Sequence, residues 1–231
     1  PFSAGTASEN AVRLLLDKLS ENLKQAIVLD NRPGAGSTLG TEQAARAVPD
    51  GHTLLASYNS SIAPGALLYN KLGYDPLKDF KHIALIGVFP QFMVVRSDHP
   101  AKTVQDFLAM VRAKPGAVNY SSAGVGTSGF LAAEMLKQAL KLDMTHVPYK
   151  GAQAVYPDLI GGRVDVFIDL SSTARTQITA GAVKPLATSG ADRSALHPDV
   201  PTFIESGVSL DLESWFGYFA PAKTPGDIQE R

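Results

Sequence analysis

The chain has 231 residues, 45% hydrophobic and 19% charged, with a net charge of −1 and no cysteine. That composition suits a globular protein able to bury a sizeable core, and it excludes disulfides, thiolate metal sites and cysteine nucleophiles. No Lys/Arg run forms a basic patch and no stretch approaches the roughly 18 apolar residues of a membrane span, so neither nucleic acid nor membrane insertion is expected.

The chain opens on Pro1-Phe2, read as the end of a strand, and closes on Thr224-Pro225-Gly226-Asp227, read as a helix start; both ends look cut. Between them the segments alternate. The spacing of Ala11, Leu15, Leu19 and Leu23 predicts a helix over 7–23, with Thr6 and Glu9 as a capping box. Apolar, partly β-branched runs predict strands at 26–29, at 53–57, and at 83–96 broken near Pro90. A second series begins with Thr103 capping a helix that carries Val104, Leu108 and Val111 and stops at Pro115-Gly116. Then come a strand at 118–121, a Gly-rich turn, a helix over 127–140, a strand at 144–147, a helix ending at Gly161-Gly162 and a strand at 164–168. Strands at 184–188 and 215–220 complete the pattern. Interleaved strands and helices predict an α/β fold in which each lobe is a mostly parallel sheet flanked by helices. The division is expected near Arg96 and Leu212: one lobe of residues 1–96 plus 212–231, another of 97–211, and a ligand cleft between them.

A repetition carries most of the functional information. Ser3-Ala4-Gly5-Thr6-Ala7-Ser8 and Ser121-Ser122-Ala123-Gly124-Val125-Gly126-Thr127-Ser128 each lie between a strand and a helix start, one per lobe. Gly allows close backbone approach, and the first helical turn offers N–H groups without intrahelical partners at the positive end of the dipole. Two such turns would hold an acid without Arg or Lys; the alternative is that any α/β protein places Gly and Ser at these turns. Asn31 to Gly40 lacks the Gly-Lys-Ser/Thr ending of a phosphate loop and reads as a tight turn before a close-packed helix. Tyr58-Asn59-Ser60-Ser61 presents polar groups after a strand or is an ordinary loop. Asp169 meets a ligand's amino or hydroxyl group or caps a helix. No histidine pair has metal-ligand spacing and no nucleophile elbow exists, so no catalytic residue, metal or cofactor is expected.

Taken together, Pro1-Phe2-Ser3-Ala4-Gly5, Asn31-Arg32-Pro33-Gly34-Ala35-Gly36, Asp50 to Leu55, Tyr74 to Phe80, Tyr120 to Thr127, His146 to Gly151, Asp158 to Asp165 and Pro198 to Thr202 resemble, in order, the Bug family. These are the TctC-type substrate-binding proteins of tripartite tricarboxylate transporters. The resemblance implies a periplasmic binding protein of Venus-flytrap type II fold, monomeric, handing a small carboxylate (amino acid, di- or tricarboxylate, or aromatic acid) to membrane transporter components. It places the ligand against Phe2, Ser3, Ala4, Gly5, Thr6, Ala7 and Ser8, Ser60 and Ser61, and Gly126, Thr127 and Ser128, with Tyr149 and Asp169 nearby. Thr6 stands where the family usually has Gly, Glu9 where it has Asp, and Phe130 where a polar residue, commonly His, is found. A sensory module reporting ligand occupancy to a membrane partner, and an enzyme on the same scaffold, are the rival readings.

Overall fold

The structure, a computed structural model, describes residues 1, 7–34, 37–62 and 72–230, and for residues 7, 8, 10 and 60 the backbone alone. The chain divides into two units, Pro1–Val88 with Trp215–Arg231, and Phe89–Ser214. The crossings therefore fall before and after the positions expected at Arg96 and Leu212, because the strand Gln91–Arg96 is built into the second unit's sheet.

In the first unit, α1 (Ala7–Leu23), α2 (Thr38–Ala45), β1 (Leu55–Tyr58), α3 (Asn59–Ile62) and β2 (Phe80–Phe89) are joined by the returning β8 (Ser214–Pro221) and the short α8 (Gly226–Gln229). β8 lies between β1 and β2 and pairs antiparallel with β1, Leu55 opposite Phe219. Leu55, Ile62, Tyr74, Phe80 and Phe219 pack the core, with edge-on rings for Tyr74–Phe80 (5.9 Å) and Phe80–Phe219 (6.3 Å). α1 spans the range its periodicity predicts, yet among its described apolar side chains only Val12 is fully buried, and Leu15 and Leu23 are exposed. Residues 26–29 form no ladder among the described residues. β-branched content gives the propensity, but a strand exists only where a neighbour accepts its hydrogen bonds. Thr6 of the expected capping box lies outside the described residues; Glu9 is buried and receives Arg13 Nε at 2.7 Å.

The second unit is β3 (Gln91–Arg96), α4 (Val104–Ala113), β4 (Val118–Ser122), α5 (Ser128–Leu140), β5 (Met144–Pro148), α6 (Tyr156–Ile160), β6 (Val166–Leu170), α7 (Ser171–Thr179) and β7 (Val183–Thr188). Its sheet has the order β5-β4-β6-β3-β7. β4 is parallel to β5 and β6, whereas β3 is antiparallel to both β6 and β7. Four strands thus point one way, as the interleaved pattern predicts, and β3 alone runs against them. β3 is the strand on which the chain enters this unit, so the crossover rule that aligns strand–helix–strand repeats does not act on it. It is covered on both faces: Met93 and Val95 pack with Val104, Phe107, Leu108, Val111, Tyr120 and Leu136, while Phe92 and Val94 pack with Tyr156, Leu159, Phe167 and Ala174. Pro185 lies on the edge strand β7 beside a register shift, a place that tolerates a residue with no N–H.

Candidate functional site

Topology gathers the site in the second unit. The C-terminal ends of β4, β5, β6 and β7 and, because it runs oppositely, the N-terminal end of β3 meet at one edge of the sheet. Binding residues of open α/β sheets collect at that edge. There lie the loop 122–128 after β4, Tyr149 after β5, Asp169 at the end of β6, Ser189 after β7 and Gln91 at the start of β3.

The 122–128 loop is held by its own polar groups. Ser122 is fully buried; its Oγ accepts the Gly124 N–H at 3.2 Å and lies 2.7 Å from His146 Nε2. Ser122 Oγ thus ties the loop both to its own backbone and to the imidazole of His146, whose tautomer sets which of the two donates. Burial is the main cause holding His146 below its ordinary pKa; Glu134 opposes it and Lys137 adds to it. The imidazole stacks on Tyr120 at 4.8 Å and leans on Phe130 at 4.9 Å. Gly124 and Gly126 have φ of 134° and 85°, conformations that disfavour any side chain. The loop is also stitched to the segment after β5, with Tyr149 N on Ser122 O and Gly151 N on Ala123 O, both at 3.0 Å.

This geometry leaves the start of α5 without a cap from its N-cap side chain. Thr127 is the N-cap residue, but its Oγ1 turns back to donate to Gly124 O at 2.7 Å and makes no capping bond. No acidic residue occupies the first turn. The first intrahelical bond runs from Leu131 N to Thr127 O at 3.0 Å, as at any helix start, where the first amides have no partner within the helix itself. A Cβ on Gly129 would lie 1.9 Å from Ile168 O, so α5 begins hard against the backbone of β6.

Tyr149 and Asp169 are at this edge but already engaged. Tyr149 donates to Asp158 Oδ2 at 2.7 Å, and Arg163 holds the other oxygen of that carboxylate at 2.6 Å. Burial first, then Asp158, pushes the Tyr149 phenol up to about 12. Asp169 is buried, taking the Tyr156 hydroxyl on Oδ2 at 2.6 Å and its own following amide, Leu170 N, on Oδ1 at 2.9 Å. Burial pushes Asp169 up to about 6, although bonds from Tyr156, Thr173 and Leu170 pull the other way.

In the first unit, Phe2 to Thr6 lie outside the described residues, as do the side chains of Ala7, Ser8 and Ser60. Ser61 is fully buried: its Oγ is 2.5 Å from Ser57 Oγ and donates to Tyr58 O at 3.2 Å, while its carbonyl accepts the Tyr74 hydroxyl at 2.6 Å. Its side chain supports α3. Of the Asn31–Gly40 stretch, residues 35 and 36 lie outside the described residues; on either side of them Ser37 N bonds Gly34 O at 2.9 Å, and a Cβ on Gly40 would meet Arg32 O at 2.6 Å.

The sequence profile of the tripartite tricarboxylate transporter family receptor, TctC, matches residues 11–231. The chain belongs to that family. It is 38% identical, over its whole length and 67% of the relative's, to a UPF0065 protein from the TAR-I ttuE-ttuC' intergenic region of Agrobacterium vitis. Among solved structures, an R. palustris protein with adipate superposes with a TM-score of 0.92 at 32% identity, covering 100% of this chain and 77% of that one. MatC from Rhodopseudomonas palustris with bound malate gives 0.89 at 33% identity, covering 99% and 78%. The fold is accordingly that of the periplasmic binding proteins, and the TctC receptors are a solute-binding family. Among the described residues no helix is long and apolar enough to cross a membrane and no His/Cys/Asp/Glu group has the geometry of a metal site.

Sequence reasoning did not single out Gln91 or His146 in this TctC chain. Gln91 is the lone polar residue between Phe89-Pro90 and Phe92-Met93-Val94-Val95, and a polar residue inside a buried run was the available signal. His146 alternates with buried Met144 on β5, but its tie to Ser122 depends on the β4–β5 pairing.

Proposed function

We propose that this chain is the ligand-gripping body of an extracytoplasmic solute-binding protein that captures a small carboxylate and delivers it to a tripartite tricarboxylate-type transporter in the periplasm. The observation that carries the reading is the start of α5: a 13-residue helix whose N-cap Thr127 makes no side-chain capping bond, without acid in its first turn, opening at the binding edge of the sheet behind a glycine loop fixed by Ser122 and Thr127. Such a terminus favours an anion through its outward amides and dipole. Phe2 to Ser8, of similar composition, is the segment proposed to take the other end of the ligand, with the backbone near the two crossings bending on capture. Charge-assisted bonds of about 1.5–3 kcal/mol each, less ordering costs, suit roughly micromolar or tighter binding.

The chemistry of relatives supports the class: adipate and malate are both small dicarboxylates. The test is titration calorimetry with a panel of carboxylates against their amides and alcohols. Acids should bind stoichiometrically and unchanged; equal affinity for the uncharged analogues would remove the helix terminus from the mechanism, and turnover of the acid would favour an enzyme instead.

A further inference from the structure

Gln91 is completely buried, and most of its polar groups are engaged. Its main-chain N–H donates to Ser189 Oγ at 3.0 Å, its carbonyl accepts Ser189 N at 2.9 Å, and its Nε2 donates to Ser214 Oγ at 3.4 Å. Ser189 Oγ is itself anchored on Leu212 O at 2.6 Å. What remains is Oε1, a buried acceptor with no hydrogen-bond partner among the described residues. It faces the first turn of α5, for a Cβ on Gly129 would come within 3.6 Å of it. Glycine at 129 lets the first turn of α5 lie that close to the oxygen.

Buried carbonyl oxygens are almost always paired, because leaving one without a donor forfeits its hydration. Here the acceptor borders the helix end proposed to take the ligand's acid group, and β3 and its partner β6, where Gln91 opposes Leu170, set it there through backbone pairing. We infer that Gln91 is a specificity-determining residue, its Oε1 accepting a hydrogen bond from a hydroxyl or ammonium group borne next to the carboxylate that α5 holds. The ligand class is then a hydroxy- or amino-carboxylate rather than a plain acid. This rests on the solute-binding reading above and narrows it.

The experiment compares matched pairs by calorimetry on the full chain: malate and aspartate against succinate, lactate and alanine against propionate, phenyllactate against phenylpropionate. The donor-bearing member of the pair that fits should bind about ten-fold or more tightly than its plain partner, the scale of one buried hydrogen bond. In Gln91→Leu that ratio should fall toward one. Acids that bind with no preference within pairs would overturn the inference and leave the carboxylate reading standing; so would a Gln91→Leu protein that keeps the full preference. If no acid binds at all, both readings fall. The wild-type ratios decide the matter even if the variant does not fold.

Discussion

Two helices of the second unit start in opposite ways. At α4, Thr103 Oγ1 accepts Asp106 N at 3.1 Å while Asp106 Oδ2 takes the amides of Thr103 and Lys102, each at 3.0 Å. Those bonds hold the Asp106 carboxyl below its ordinary pKa. At α5 the corresponding Thr127 spends its hydroxyl on the loop behind it, and the first turn carries no acid. Both residues are threonines in extended conformation before an amphipathic helix, so the residue type does not separate them. The partner three positions on does: Asp106 completes a capping box at one helix, and Phe130 cannot at the other. A helix whose own N-cap side chain closes its start is built as scaffold; α5, whose N-cap side chain turns to the loop instead, is the one proposed to take an anion.

The contrast can be broken most severely at Gly129. Gly129→Ala would drive a Cβ into the Ile168 carbonyl, so α5 must shift; we expect a loss of about 3 kcal/mol in denaturant unfolding and loss of acid binding. A milder variant that binds acids as tightly as wild type would show that the seating of α5 does not matter. Thr127→Asp gives α5 the charge that α4 already has. Carboxylate affinity should fall about 100-fold by calorimetry while thermal stability holds or rises, since Asp is a good N-cap. Thr103→Ala is the mirror case: about 1 kcal/mol lost on unfolding with the dissociation constant unchanged. The smallest effect concerns pH. His146 has a folded pKa below its unfolded value, so the unfolded chain takes the proton first as pH falls. Its contribution is complete above about pH 6.5 and is lost as pH falls from there toward the folded pKa. The charged neighbours are Glu134 and Lys137 on α5, with Tyr120 stacked beneath from β4. His146→Gln should flatten that part of the stability–pH curve, and an unaltered slope would show that His146 does not titrate there.

How much of this was legible from residues follows the range of each interaction. The Thr103 cap is a pattern within four residues, and the glycine loop is contiguous, so both could be read directly. Asp169 reads from sequence as a ligand contact or a cap, but it ends β6 while its partner Tyr156 starts α6, and burial of the pair shows only in three dimensions. Residues 26–29 had strand propensity without a ladder partner to realise it. Gln91 stayed hidden because its meaning depends on the direction of β3, which strand propensity does not encode.

That direction has a mechanical corollary. Had β3 run with its neighbours, Arg96 would stand at the binding edge and the peptide arriving from the other unit would join the sheet at the opposite rim, about 20 Å away. As built, the crossing at 88/89 and the proposed recognition residue at position 91 are separated by two residues of chain. On the proposed reading, a pull on Gln91 has only Pro90 and Phe89 between it and the point where the chain enters this unit, so recognition would be spliced directly into the entering backbone.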